Sequence, residues 1–267
     1  MNSRVRIGAV TYLNAKPLIY DLERIAPDAE LVLDLPSRLA DRLAAGDLDV
    51  ALIPVIEYLR AGIYALVPDI AIATRGPALS VTLFSKLPWQ QIRSVALDEG
   101  SRTSAALVQM IFRRRYDVNP RVEPLPIAAD PEAMATDAVL LIGDRAMHAC
   151  LAGHPHAYDL GEEWSEWTGL PFVFAVWAAR READHRAVQG IHRALLASRA
   201  WGLGHLNELA DVAASTTGID RDVCRAYLAD LDYALSYRHL AGLTDFFRRL
   251  AQDGLVPDGS LSFITAA

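Results

Sequence analysis

The chain has 267 residues, about half of them apolar, with 26 Lys plus Arg against 33 Asp plus Glu and a formal net charge of −7. That length holds one large domain or two modest lobes, with apolar content enough for an ordinary core. The acidic balance argues against general nucleic-acid binding, which needs a basic footprint, and still allows one local site for a small anion.

In chain order, a first strand is predicted over Val5–Val10. The stretch V-T-Y-L-N-A-K-P-L, Val10 to Leu18, closes it, and Pro17 near the first helical position opens a helix continued by Ile19, Tyr20 and Leu22. Asn14 is out of keeping with a tight turn, where Gly, Asp or Ser is commoner, and in open α/β sheets this position faces the ligand crevice. Strands over Glu30–Leu35 and Val50–Ile53 flank a helix with Ser37 as N-cap, Leu39 and Leu43 on its apolar face and Gly46 just past its end. This β-α-β-α-β alternation implies a parallel sheet with right-handed crossovers.

Strands over Ile70–Thr74 and Ala78–Ser85 follow, broken by R-G-P at 75–77. A second series then runs strand Val95–Leu97, helix Ser101–Arg115, strand Arg121–Ile127, buried strand Ala138–Ile142 and strand Phe172–Ala178. From Glu182 the pattern is helical almost to the end. There Val223, Tyr227, Leu231 and Leu235 repeat every four residues behind Asp220 as N-cap, with Gly218 closing the helix before. A last helix carries Leu240, Leu243, Phe247 and Leu250 and stops at Gly254.

The expected class is therefore α/β in two lobes around a cleft. The first lobe takes residues 1–84 plus 175–267 and the second takes 85–174, with the runs 78–85 and 172–178 as the hinge. Such a chain binds its ligand between the lobes.

The sharpest local feature is A-L-D-E-G-S-R-T-S, Ala96 to Ser104. A strand ends, a Gly turns the chain, and hydroxyls with one Arg open a helix. Free N–H groups at a helix start favour an anion. Ser101, Thr103 and Ser104 add O–H donors, and Arg102 adds a fork suited to carboxylate. The plainer alternative makes Ser101 an N-cap and Arg102 a solvated first-turn residue. Ser80 is either a cleft-facing hydroxyl or an ordinary strand Ser. Gly143 allows close backbone approach to a ligand, and Asp144 is a helix cap if it does not face that ligand. Glu162, Glu163 and Glu166 fit a solvent-facing helix better than acid–base work, and His154-Pro155-His156 fits a surface loop better than a metal pair.

No dinucleotide fingerprint, P-loop, zinc-protease motif or nucleophile elbow is present, so no cofactor and no metal is expected. Cys150 and Cys224 are too few for a disulfide framework, which suits a reduced, cytoplasmic chain. The start M-N-S-R-V-R has no apolar export segment behind it, and the longest charge-free apolar stretch, Trp167–Ala179, falls short of the ~20 residues that a bilayer requires. No membrane or nucleic-acid partner is expected.

Y-L-N-A-K-P-L (12–18), G-D-L-D-V-A-L-I-P (46–54), R-G-P-A-L-S (75–80), S-R-T-S (101–104), L-I-G-D (141–144) and W-T-G-L-P-F-V-F-A (167–175) together resemble the chorismate dehydratases of the futalosine route to menaquinone. The resemblance runs from about residue 5 to 180, and the helical tail is less distinctive. It implies a fold like type 2 periplasmic binding proteins and loss of water from chorismate, a small dicarboxylate, to give 3-(1-carboxyvinyloxy)benzoate. It puts the family's catalytic Asn and Ser on Asn14 and Ser80, and substrate binding on Tyr12, Ser101, Arg102, Thr103, Ser104, Gly143 and Asp144. A sister family, 1,4-dihydroxy-6-naphthoate synthase, shares the fold, but the S-R-T-S and W-T-G-L-P-F stretches favour the dehydratase. A small-anion binding protein is the non-enzymatic alternative. A DNA-binding regulator of the same fold would need a basic region that is not evident.

Overall fold

A computed structural model describes residues 4–265. Its strands are β1 (Val5–Val10), β2 (Ala29–Asp34), β3 (Val50–Pro54), β4 (Tyr64–Thr74), β5 (Val81–Ser85), β6 (Ser94–Asp98), β7 (Arg121–Leu125), β8 (Ala138–Ile142), β9 (His156–Asp159) and β10 (Phe172–Arg180). The helices are α1 (Leu22–Ile25), α2 (Pro36–Ala45), α3 (Val55–Ala61), α4 (Arg102–Arg115), α5 (Gly143–His148), α6 (Leu160–Thr168), α7 (His185–Gly204), α8 (Leu206–Thr217), α9 (Arg221–Asp230) and α10 (Tyr237–Gln252).

Two five-stranded sheets result, in the orders β2-β1-β3-β10-β4 and β7-β6-β8-β5-β9. Each sheet with its covering helices is a lobe. The α/β class with a cleft between two lobes is as the sequence indicates. Neither sheet is all parallel, however. β1 pairs with β2 and β3 in parallel, while β10 runs antiparallel to β3 and β4. In the second sheet β6 pairs in parallel with β7 and β8, while β5 runs antiparallel to β8 and β9. The antiparallel members β5 and β10 are the first strands laid down after the chain crosses between lobes, so they enter each sheet against its local crossover direction. β5 also lies wholly in the second sheet, so residues 81–84 pair there and not in the first lobe. The crossings are the short segments before β5 and before β10, not those strands themselves.

Local corrections have local causes. β4 begins at Tyr64, earlier than the alternation indicates, because Pro68-Asp69 interrupts the pattern and Asp69 takes a left-handed φ of 66° at an irregular stretch of register. β9 follows His154-Pro155 and was masked by that turn-like signal. Residues Leu13–Ile19 form a 3-10 segment with Pro17 inside it, not the start of a longer α-helix. Proline has no N–H for the next helical bond, so the segment stays a tight connector. Ser37 does not cap α2: Pro36 occupies the first turn and Leu35 precedes it without a side-chain bond. Gly46 closes the same helix at φ 82°, as its position indicates.

Buried β-strand residues such as Val50, Leu52, Ile53, Leu140 and Leu141 are solvent-free and hold each sheet against its helices. The C-terminal helices return to the crossings and to the turn after β1. A Cβ on Gly202 of α7 would sit 2.3 Å from the Pro17 carbonyl oxygen, and one on Gly242 of α10 would sit 2.0 Å from that of Pro171. Only a side chain of hydrogen lets these helices dock so closely on backbone. Gly202→Ala is expected to destabilise the fold by about 1–3 kcal/mol, read as a lowered midpoint in thermal unfolding; an unchanged midpoint would mean that α7 does not seat on the 13–19 segment.

Candidate active site

The cleft between the two sheets holds about 570 Å³ of space including its mouth. Tyr12 and Asn14 line it from the turn after β1, Ser80 from the first crossing, Gly100, Ser101, Thr103 and Ser104 from the start of α4, and Gly143 from the start of α5. Val10, Ile72, Ile142, Phe174 and Leu231 add apolar wall. Four distant sequence segments thus converge on one space.

Asn14 lies in the 3-10 segment, yet its side chain does not cap it. Its Oδ1 is buried without a hydrogen-bond partner. A turn role would have satisfied that oxygen, and a buried unpaired acceptor costs about 1–3 kcal/mol. The geometry therefore gives Asn14 a free acceptor at the cleft wall.

Ser80 is 3 % exposed and is placed by a strained, tightly held loop. Leu79 before it adopts φ 58°, unusual for a branched residue. The Asp159 carboxylate holds that shape, accepting from Ala78 N at 2.8 Å and Leu79 N at 2.6 Å. The same carboxylate caps α6 through Gly161 N at 2.8 Å and Glu162 N at 3.1 Å. Burial pushes its carboxyl above the ordinary range, against the pull of these N–H donors. Behind Ser80, the Tyr227 hydroxyl of α9 donates to Ser80 Oγ at 2.8 Å. Burial pushes that phenol well above the usual tyrosine range.

At the start of α4, Ser101 is both N-cap and cleft lining: its Oγ accepts from Ser104 N at 3.3 Å. Thr103 Oγ1 accepts from Ile56 N of α3 at 3.4 Å, across the lobes. Arg102 stands outside the residues that line the cleft. Its guanidinium donates to Asp41 Oδ2 of α2 at 2.8 Å and to Glu57 Oε2 of α3 at 3.2 Å. Its position in the first turn of α4 points it toward the helices of the facing lobe, so it braces the two lobes.

Asp144 is likewise engaged elsewhere. It neither caps α5 nor lines the cleft; its Oδ1 accepts from Leu13 N of the first lobe at 2.9 Å. Gly143 does line the cleft, at φ 61°, with the Tyr12 ring so close that a Cβ would meet it at 2.8–2.9 Å. A Cβ on Gly100 would come within 3.2 Å of the Tyr12 hydroxyl. Burial, with Asp98 and Asp144 nearby, pushes the Tyr12 phenol far above its ordinary value.

Glu163 and Glu166 pair with Arg115 on the far face of α4, and Glu162 is exposed. His154 is buried, not on a surface loop, and His156 stacks on Tyr158. Among the described residues no three His, Cys, Asp or Glu are grouped to hold a metal ion. No helix among them is long and apolar enough to cross a membrane. Tyr227 and Asp159 were missed as site-building residues: Tyr227 reads as one member of an apolar helical stripe, and Asp159 as the start of an acidic surface helix.

Residues 5–252 match the family described as menaquinone biosynthesis. The chain belongs to that family. It is 32 % identical over 261 residues, 91 % of this chain and 94 % of the relative, to the chorismate dehydratase of Thermus thermophilus. Among solved structures it is similar to a protein of Archaeoglobus fulgidus, with a TM-score of 0.79 at 17 % identity over 96 % of this chain and 99 % of that one. It is also similar to the periplasmic aliphatic sulphonate binding protein SsuA of Escherichia coli, with a TM-score of 0.67 at 16 % identity over 100 % and 95 % of the two chains. The fold of this menaquinone biosynthesis protein is thus that of periplasmic binding proteins, with two lobes about a cleft.

Two outcomes check this geometry. Gly143→Ala forces a methyl into the Tyr12 ring and strains a left-handed residue, and is expected to cost about 1–3 kcal/mol of stability with loss of ligand binding; retention of both would mean that Tyr12 does not pack there. Arg102→Ala combined with Asp144→Ala removes two braces between the lobes, and the ligand-free radius of gyration by X-ray scattering should increase. An unchanged radius would show that these contacts do not hold the cleft closed.

Proposed function

We propose that this chain is a hydro-lyase that converts chorismate to 3-(1-carboxyvinyloxy)benzoate for menaquinone biosynthesis, acting in the cytoplasm without a cofactor. The observation that carries the reading is the chemistry of the cleft wall. It has hydroxyls, backbone N–H groups at a helix start and one unpaired amide oxygen, and among its lining residues no carboxylate, imidazole or amine. Such a wall suits an anionic ligand with a hydroxyl, and it lacks an ordinary base. The relative named chorismate dehydratase supports the same substrate.

The reaction breaks two bonds. A proton leaves the ring carbon that carries the enolpyruvyl ether, and hydroxide leaves the neighbouring carbon and departs as water. The two electrons of the C–H bond enter the ring, which becomes aromatic, so the driving force lies in the substrate. The enzyme then needs to hold one geometry and assist the two proton movements. In this reading the start of α4, with Ser101, Thr103 and Ser104, holds one substrate carboxylate. Ser80 positions the other carboxylate, and Asn14 Oδ1 accepts from the ring hydroxyl and orients it. The enolpyruvyl carboxylate of the substrate itself takes the ring proton and passes it to the departing hydroxyl, so that the C–H and C–O bonds break, water leaves and the carboxylate is restored. Tyr12 is the one lining side chain with a titrating proton, and its burial keeps it protonated throughout the working range.

The direct test is incubation with chorismate and detection of an aromatic product lighter by one water. Binding without turnover would favour a small-anion binding protein of the same fold. Asn14→Asp keeps the shape but sets a negative charge beside a dianion. It should lower kcat by about 10²–10³-fold while the unfolding midpoint stays near that of the wild type; normal turnover would return Asn14 to a purely structural role. With no protein base in the cleft, kcat should be flat from about pH 6 to 9. A limb with a midpoint inside that window would point to a protein group as the base.

A further inference from the structure

Tyr227 is 1 % exposed and Ser80 3 % exposed, so the hydrogen bond between them is sealed from solvent. Its polarity follows from what surrounds it. The Tyr227 hydroxyl lies 2.8 Å from Ser80 Oγ, and the Asn14 side chain is its other hydrogen-bond neighbour; with Asn14 Oδ1 unpaired, that neighbour is the amide N–H, which donates to the Tyr227 oxygen and leaves Ser80 Oγ as the acceptor. The tyrosine hydrogen is therefore committed to Ser80. A serine Oγ has one hydrogen and two lone pairs. When it accepts from behind, its own hydrogen is released for the front, and the front of Ser80 is the cleft. Tyr227 stays a donor at all working pH because burial holds its phenol protonated.

We infer that Tyr227 is a positioning residue that, from behind the cleft wall, fixes the Ser80 hydroxyl as a donor toward the ligand. Asn14 Oδ1 is then the matching acceptor, and the wall presents one donor and one acceptor to a substrate that has a carboxylate and a hydroxyl. Without the phenol hydroxyl, Ser80 becomes a free rotor with an unfilled lone pair, and its hydrogen is no longer held toward the cleft. The inference rests on the chorismate dehydratase reading and adds a residue from the helical tail to it.

Tyr227→Phe keeps the buried ring and deletes only the donor. Steady-state kinetics with chorismate should show kcat reduced by roughly 10–100-fold and KM held within about threefold, since the ligand-binding groups at α4 are untouched. In a Ser80→Ala background the same change should cost less than about twofold, because the group through which Tyr227 acts is already gone. A wild-type kcat for Tyr227→Phe would overturn the inference. So would an equal loss with and without Ser80, which would make Tyr227 a general packing residue. If the unaltered protein forms no product from chorismate, the dehydratase reading itself fails and this role falls with it; product from the unaltered protein with no effect of Tyr227→Phe sinks the positioning role alone.

Discussion

The Asp159 carboxylate is the contact on which the cleft depends. It accepts from two backbone N–H groups of the crossing segment, Ala78 and Leu79, and from two at the start of α6, Gly161 and Glu162. One side chain thereby ends β9, starts α6 and clamps the chain as it passes between lobes. Gly161 lets the clamp close, since a Cβ there would meet the Gly76 carbonyl oxygen at 2.6 Å. The left-handed Leu79, a conformation that costs of order 1–3 kcal/mol, persists because these donors hold it. Ser80 comes next in the chain, so its backbone direction is inherited from Asp159, while in the positioning role proposed above the direction of its hydroxyl comes from Tyr227.

The cleft wall departs from what stability alone would select. A buried amide oxygen is left unpaired at Asn14, and a strained residue is kept beside Ser80. Charged groups that could have satisfied a ligand are instead spent on the lobes: Arg102 on Asp41 and Glu57, Asp144 on Leu13 N. The side chains lining the cleft are thus neutral, and the ionic contacts sit around it. Neutral donors fixed by the fold need no reorganisation when charge shifts in the ligand. This suits a reaction whose driving force and, in the proposed mechanism, whose base belong to the substrate.

Much of this was legible in the sequence because local signals agreed. The alternation of short strands with capped helices indicates two α/β units, and the S-R-T-S helix start and the Asn14 turn stand out from ordinary usage. Other features were set by distance in space. The same Arg102 fork serves a carboxylate ligand or carboxylates on a facing helix, and only the approach of α2 and α3 decides between them. Tyr227 sits at the spacing of its apolar neighbours Val223 and Leu231, and nothing local separates a tyrosine that fills a core from one whose hydroxyl meets a serine 147 positions away. The pairing of β5 with β8 and β9 is not written in its own residues, since strand pattern shows that a strand exists, not which sheet pairs with it.

The most direct measurement is a structure of the Ser80→Ala protein with chorismate bound. The account predicts the ring hydroxyl within hydrogen-bond distance of Asn14 Oδ1, one carboxylate at the start of α4, the substrate's own enolpyruvyl carboxylate over the departing ring proton, and Arg102 still on Asp41 and Glu57. A protein carboxylate or imidazole standing over that proton, or a ligand seated away from Asn14, would contradict it.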